Sequence, residues 1–95
     1  MEEKLNEILN YYGEEAQANQ LVQELGELIV AITKCDVENA IEEVADVEIM
    51  IEQFKNFEGI SKYRDKIEDI KEYKIQRQLR RIEREKVNKW IANKI

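Results

Sequence analysis

No proline interrupts the 95 residues of this chain, and glycine does so only at Gly13, Gly26 and Gly59. Every backbone N–H is therefore free to donate, and the dominant residues are Glu, Lys, Ile, Leu and Arg. Such a chain is driven toward helices, because nothing in it breaks the i to i+4 ladder and most of its side chains lose little rotamer freedom there. The apolar residues agree. They recur at three and four, the spacing that lines one face of a helix.

Four helices are predicted, within one small domain. The first covers about 2–12, with Leu5, Ile8 and Leu9 on one face, and stops at Gly13. The second runs from about 14 to 34 and carries Leu21, Leu25, Leu28 and Ile32, widened by Val22 and Ile29. Cys35-Asp36-Val37 is the turn, with Asp36 as N-cap of a third helix over about 38–57. That helix carries Ile41, Val44, Val47, Met50, Ile51 and Phe54, and Gly59 is expected to close it. Ser61 then caps a fourth helix over about 61–92. Its stripe of Tyr63, Ile67 and Ile70 shifts at Tyr73-Lys74 to Ile75, Leu79 and Ile82, which predicts a bend or a change of partner. A helix of that length reaches ~45 Å, past the hairpin beside it. With 43% apolar residues the chain has a core, but helices this short bury little alone, so oligomerisation is expected to complete it.

Composition removes several chemistries. There is no histidine, hence no imidazole base and no His metal ligand. One cysteine allows neither a disulfide framework nor a thiolate zinc site. No basic-then-apolar leader follows Met1, and no apolar run nears the ~20 residues that span a bilayer. A cytoplasmic protein without membrane contact is expected. The net charge of −6 is uneven: residues 1–70 hold 18 acids and 6 bases, residues 71–95 hold 3 acids and 9 bases. The basic end could rest on the acidic body or meet a phosphate-bearing ligand.

Two acidic pairs stand at mirror positions about Cys35. Glu24 and Glu27 lie in Glu-Leu-Gly-Glu, Glu43 and Asp46 in Glu-Val-Ala-Asp, and Glu24/Asp46 and Glu27/Glu43 share residue 35 as midpoint. Residues three apart share a helix face, so an antiparallel hairpin turning there sets four carboxylates level. Four such groups do not all stay ionised without a cation among them, and oxygen ligands alone suit Mg²⁺ or Mn²⁺. Glu-x-x-His is absent, against a di-iron bundle, and no EF-hand loop exists. Asp65/Glu68 and Asp69/Glu72 repeat the spacing but lie among Arg64, Lys66 and Lys71, as a solvated face would. The first two pairs are instead embedded in the most apolar stretches. Gly26 costs ~1 kcal/mol in a helix unless a close approach requires it.

Residues 17–53, QANQLVQELGELIVAITKCDVENAIEEVADVEIMIEQ, resemble the MazG-like nucleoside triphosphate pyrophosphohydrolases, whose signature is Glu-x-x-Glu on one helix and Glu-x-x-Asp on the next. Many relatives have a Glu doublet where this chain has Gln23-Glu24; the four ligand positions remain filled. The resemblance implies an all-α pyrophosphatase fold in which subunits pair to complete a four-helix core, as homodimer or homotetramer. It implies cleavage of a nucleoside triphosphate between the α- and β-phosphates, with nucleotide-pool house-cleaning as a role. Magnesium held by Glu24, Glu27, Glu43 and Asp46 would polarise the phosphate and activate water, with Glu24 or Glu27 taking the proton.

Lys74 and Arg77, where acidic body meets basic end, are the candidate phosphate contacts. Lys34 is a weaker one, and Asn39, one turn before Glu43, reads as a polar first-turn residue that could contact nucleotide. Tyr11, Tyr12, Phe54, Phe57 and Trp90 read as core or subunit-contact residues, and Cys35 as a small turn residue. The alternative function is a non-catalytic helical interaction module offering its basic helix to an acidic partner. Nucleic-acid binding through residues 71–91 is opposed by the acidic body and by the lack of regularly interleaved aromatics.

Overall fold

A computed structural model describes residues 2–94. Among the described residues the chain is all-helical: α1 (Glu2–Tyr12), α2 (Glu14–Thr33), α3 (Val37–Phe54), a 3₁₀ turn (Ser61–Tyr63) and α4 (Arg64–Lys94), with no strand. It divides into two compact units, residues 1–62 and residues 63–95.

In the first unit α2 and α3 pack as an antiparallel hairpin and α1 lies against both. Gly13 makes the α1–α2 corner at φ 89°, a conformation that glycine adopts without the steric cost a side chain brings. The hairpin turn is a Schellman motif. Cys35 N–H donates to Ile32 C=O at 3.1 Å, Asp36 N–H donates to Ala31 C=O at 3.0 Å, and Cys35 takes the left-handed φ of 55°. Asp36 then accepts from Asn39 N–H at 3.2 Å and starts α3, as its residue type predicts. The core is small: Leu9, Ala31, Val47, Met50 and Phe57 are its buried apolar residues, with Gln17 and Gln53 buried among them.

Two boundaries differ from the sequence expectation. The third helix ends at Phe54 rather than near 57, and Gly59 does not supply a left-handed cap. Tertiary contacts take the chain away from the helix there. Asn56 Nδ2 donates to Asn6 Oδ1 of α1 at 2.8 Å, Glu58 N–H donates to Glu14 Oε2 of α2 at 2.7 Å, and Phe57 is buried. Ser61 opens the 3₁₀ turn, so α4 begins three residues later than expected.

The second unit is essentially α4, one unbroken helix through Tyr73-Lys74. None of its residues is buried. Its apolar groups recur every twelve residues (63/67/70, 75/79/82, then 87/91), which turns each patch about 120° from the last on a helix of 3.6 residues per turn. The shift read from the sequence is thus a rotation of the apolar face along a continuous helix. Phe57 fills the core and Phe54 is half-buried beside it, ring centroids 5.1 Å apart, whereas Tyr11, Tyr12 and Trp90 are exposed.

Candidate metal centre

Glu24 lies on the α3-facing side of α2 because it continues the row of Gln17, Leu21, Leu28 and Ala31, spaced at three and four. Only 9% of it is exposed. Glu27, one turn on, comes out at the edge of the hairpin and is exposed; Glu43 of α3 is half-buried. Each of the three offers a carboxylate oxygen, and these oxygens all lie within 4.8 Å of one another. Asp46 is not part of this group and is exposed. The structure therefore converges three of the four expected carboxylates. Aspartate is one methylene shorter than glutamate and leaves the helix on the solvent side, which keeps it out of reach.

The neighbours of the cluster are amides. Gln20 Nε2 donates to Glu24 Oε1 at 2.7 Å, and Gln23 Nε2 donates to Glu27 Oε1 at 3.3 Å. Both follow the i, i+4 relation on α2. That spacing is carried by Gln-x-x-Gln-Glu-x-x-Glu, in which Gln20 is the residue that orients Glu24; the pattern alone does not tell an orienting amide from a solvated one. No ion pair to Lys or Arg reaches the three carboxylates among the described residues. Glu24 Oε2 and Glu43 Oε2 are buried, and no N–H or hydroxyl of another residue donates to them.

These facts set the electrostatics. The carboxyl of Glu43 is pushed up from 4.5 to about 7, first by sharing a proton with Glu24, then by burial, then by the like charges of Glu27 and Glu24. A cluster of this kind holds either a proton or a cation. Its donors are all carboxylate oxygens, the class that suits Mg²⁺ and Mn²⁺, and the two orphaned oxygens leave acceptor capacity for one. The residues fit a hard divalent ion.

Gly26, between Glu24 and Glu27, faces open space: a Cβ there would meet nothing within 4 Å. Within the chain, no close approach calls for this glycine. Asn39 and Asp36 line an open acidic depression with Glu38 and Glu42. Lys34, the C-cap of α2, is exposed. Lys74 and Arg77 belong to α4, in the other unit. Lys74 is exposed, and the Arg77 guanidinium lies 5.9 Å from the Tyr73 ring centroid, a cation–π contact.

No family model matches this chain, and no curated protein or solved structure matches it either.

Proposed function

We propose that this chain is a Mg²⁺-dependent nucleoside triphosphate pyrophosphohydrolase of the MazG-like kind. The observation that carries the reading is the convergence of Glu24, Glu27 and Glu43 at the edge of an apolar hairpin, with two buried carboxylate oxygens to which no other residue donates. Such an arrangement needs a shared proton or a cation to offset the repulsion, and above about pH 7, where the proton is lost, the cation is what remains. The Glu-x-x-Glu and Glu-x-x-Asp pattern of residues 17–53 supports the choice of reaction.

In this reading Glu24, Glu27 and Glu43 hold the ion, and Asp46, which lies outside that cluster, would join only through a bridging water. When bound, Mg²⁺ supplies charge neutralisation to the phosphates and acidifies a water. Glu24 is fixed by Gln20 and serves to hold. Glu27 is exposed at the rim and is the better placed to accept the proton of the attacking water. Water oxygen bonds to the α-phosphorus, the bond to the bridging oxygen breaks, and pyrophosphate leaves. Lys74 and Arg77 are proposed as phosphate contacts on the strength of their chemistry alone.

A second copy is proposed to complete the core. Val22, Leu25 and Ile29 of α2 and Val37, Ile41 and Val44 of α3 are all exposed. Each set is offset roughly 100° from the core-facing row of its helix, in the same rotational sense, so the antiparallel arrangement places both on one side of the hairpin. A shallow apolar hollow of about 310 Å³ lined by Val37, Ala40, Ile41 and Val44 is part of that side. Pairing it with its own copy gives a four-helix core, as dimer or as half of a tetramer.

The test is a panel of ribo-, deoxyribo- and modified nucleoside triphosphates with Mg²⁺, read for monophosphate and pyrophosphate. Turnover of at least one, lost in EDTA, is expected; turnover of none sinks the reading. One observation favours the alternative of a non-catalytic interaction module: α4 buries no residue and carries all nine bases of residues 71–95. That module would show no rise in melting temperature with Mg²⁺ or Mn²⁺, whereas a real site must.

A further inference from the structure

Two buried amides lie at the far end of the same hairpin. Gln17 of α2 and Gln53 of α3 are 7% and 1% exposed. Gln17 Nε2 donates to Gln53 Oε1 at 2.6 Å, and Gln53 Nε2 faces Met50 Sδ on its own helix at 3.7 Å. Their midpoint is again residue 35, so they belong to the register that levels the carboxylates.

We propose that Gln17 and Gln53 are a positioning pair, fixing the rotation and register of α2 against α3 so that Glu24, Glu27 and Glu43 converge. The inference rests on the metal-site reading and deepens it. Apart from the carboxylates, whose mutual repulsion cannot hold the helices in place, the remaining buried residues of the seam are apolar (Ala31, Val47, Met50), and apolar contacts are non-directional: they tolerate a slide or a roll while burial stays the same. An amide pair does not. A shift of about an ångström breaks the bond and strands two buried polar groups. The Schellman turn fixes one end of the hairpin, but Gln17 is ~27 Å of helix away from it. Between these two fixed points lie the carboxylates, with Glu24 two turns from Gln17. A polar pair in an otherwise apolar seam selects one arrangement among several of similar burial.

The full-length double variant Gln17→Leu/Gln53→Leu separates positioning from stability, because replacing both partners by apolar groups leaves no orphan. Nitroxides are attached in a Cys35→Ser background at Asn19→Cys and Glu52→Cys, exposed positions at nearly the same level of the hairpin and off the apolar face proposed to meet a second copy. The labelled chain is diluted in unlabelled chain to suppress distances between copies. Pulsed electron resonance is expected to give one narrow distance with the glutamines and a distribution at least twice as broad without them. Mn²⁺ affinity is expected to fall tenfold or more while the metal-free melting temperature holds or rises. An unchanged distance distribution or an unchanged Mn²⁺ affinity in the double variant overturns the proposal. A parent chain that binds no Mn²⁺ instead sinks the metal reading, so the two failures are told apart. Should the double variant not fold, the closer isosteres Gln17→Met/Gln53→Met serve, again leaving no orphan, with the same broadening and affinity loss expected.

Discussion

Glu43 keeps its proton to about pH 7 because Glu24 shares it, the hairpin desolvates it and Glu27 adds like charge. The unfolded chain would release that proton near 4.5, so between these values the folded state binds more protons than the unfolded one. Metal-free stability from this group is therefore full below pH 4.5 and is lost as pH rises through 7. Melting wild type and Glu43→Gln in EDTA at pH 5 and pH 8 isolates the effect: the variant should gain on wild type as pH rises. An equal difference at both pH values would remove Glu43 from the cluster. Mg²⁺ should replace the proton, raising the melting temperature of wild type more at pH 8 than at pH 5 and that of the variant little. Turnover by Glu43→Gln should fall about 100-fold or more, the size expected when a positioned acid–base or ligand carboxylate is lost. Cys35 is a second residue with a clear expectation. A non-glycine side chain at φ 55° clashes with its own backbone, so Cys35→Gly should stabilise the chain by about 0.5–1 kcal/mol in urea unfolding. A loss of stability would show that the Cys35 side chain has a partner.

Elements were the most legible level, and the reasons are local. α1, the Gly13 corner, α2 and the Asp36 cap all follow from period, glycine freedom and a short polar side chain, none of which needs a distant partner. The end of α3 was not legible, since Asn6 and Glu14, far away in sequence, capture residues 56–58. The candidate site divides the same way. Residue spacing sets Glu24, Glu27 and Glu43 together, but the exclusion of Asp46 depends on side-chain reach and exposure that spacing does not encode. The amide pair was hidden for a similar reason: a glutamine looks the same in sequence whether it is buried or solvated. Gly26 offers a test at this scale. A Cβ there meets nothing, so Gly26→Ala should stabilise α2 by about 1 kcal/mol. If it lowers nucleotide turnover while doing so, ligand or second copy approaches that backbone closely; if stability drops, the open space is filled in solution.

The whole molecule is one acidic helical hairpin unit and one basic helix, and neither buries the apolar surface its sequence carries. No helix among the described residues is long and apolar enough to cross a membrane. Ile41, 66% exposed, and Val37, 70% exposed, stand on the same side of the hairpin as Val22 and Ile29. Contiguous apolar patches of this kind mark interaction sites. A self-complementary face also closes with two-fold symmetry, because each copy presents the patch the other needs. Light scattering at tens of micromolar should then give at least twice the 11.3 kDa of the chain. Ile41→Asp places a charge at the centre of that face, where pairing would strand it without a counter-ion. The same residue is exposed in the single chain, so its fold has no reason to fail. The variant should run as the 11.3 kDa monomer with helical circular dichroism retained. A wild type that is monomeric, or a variant of unchanged mass, would leave the hairpin face without its second copy and return those residues to solvent.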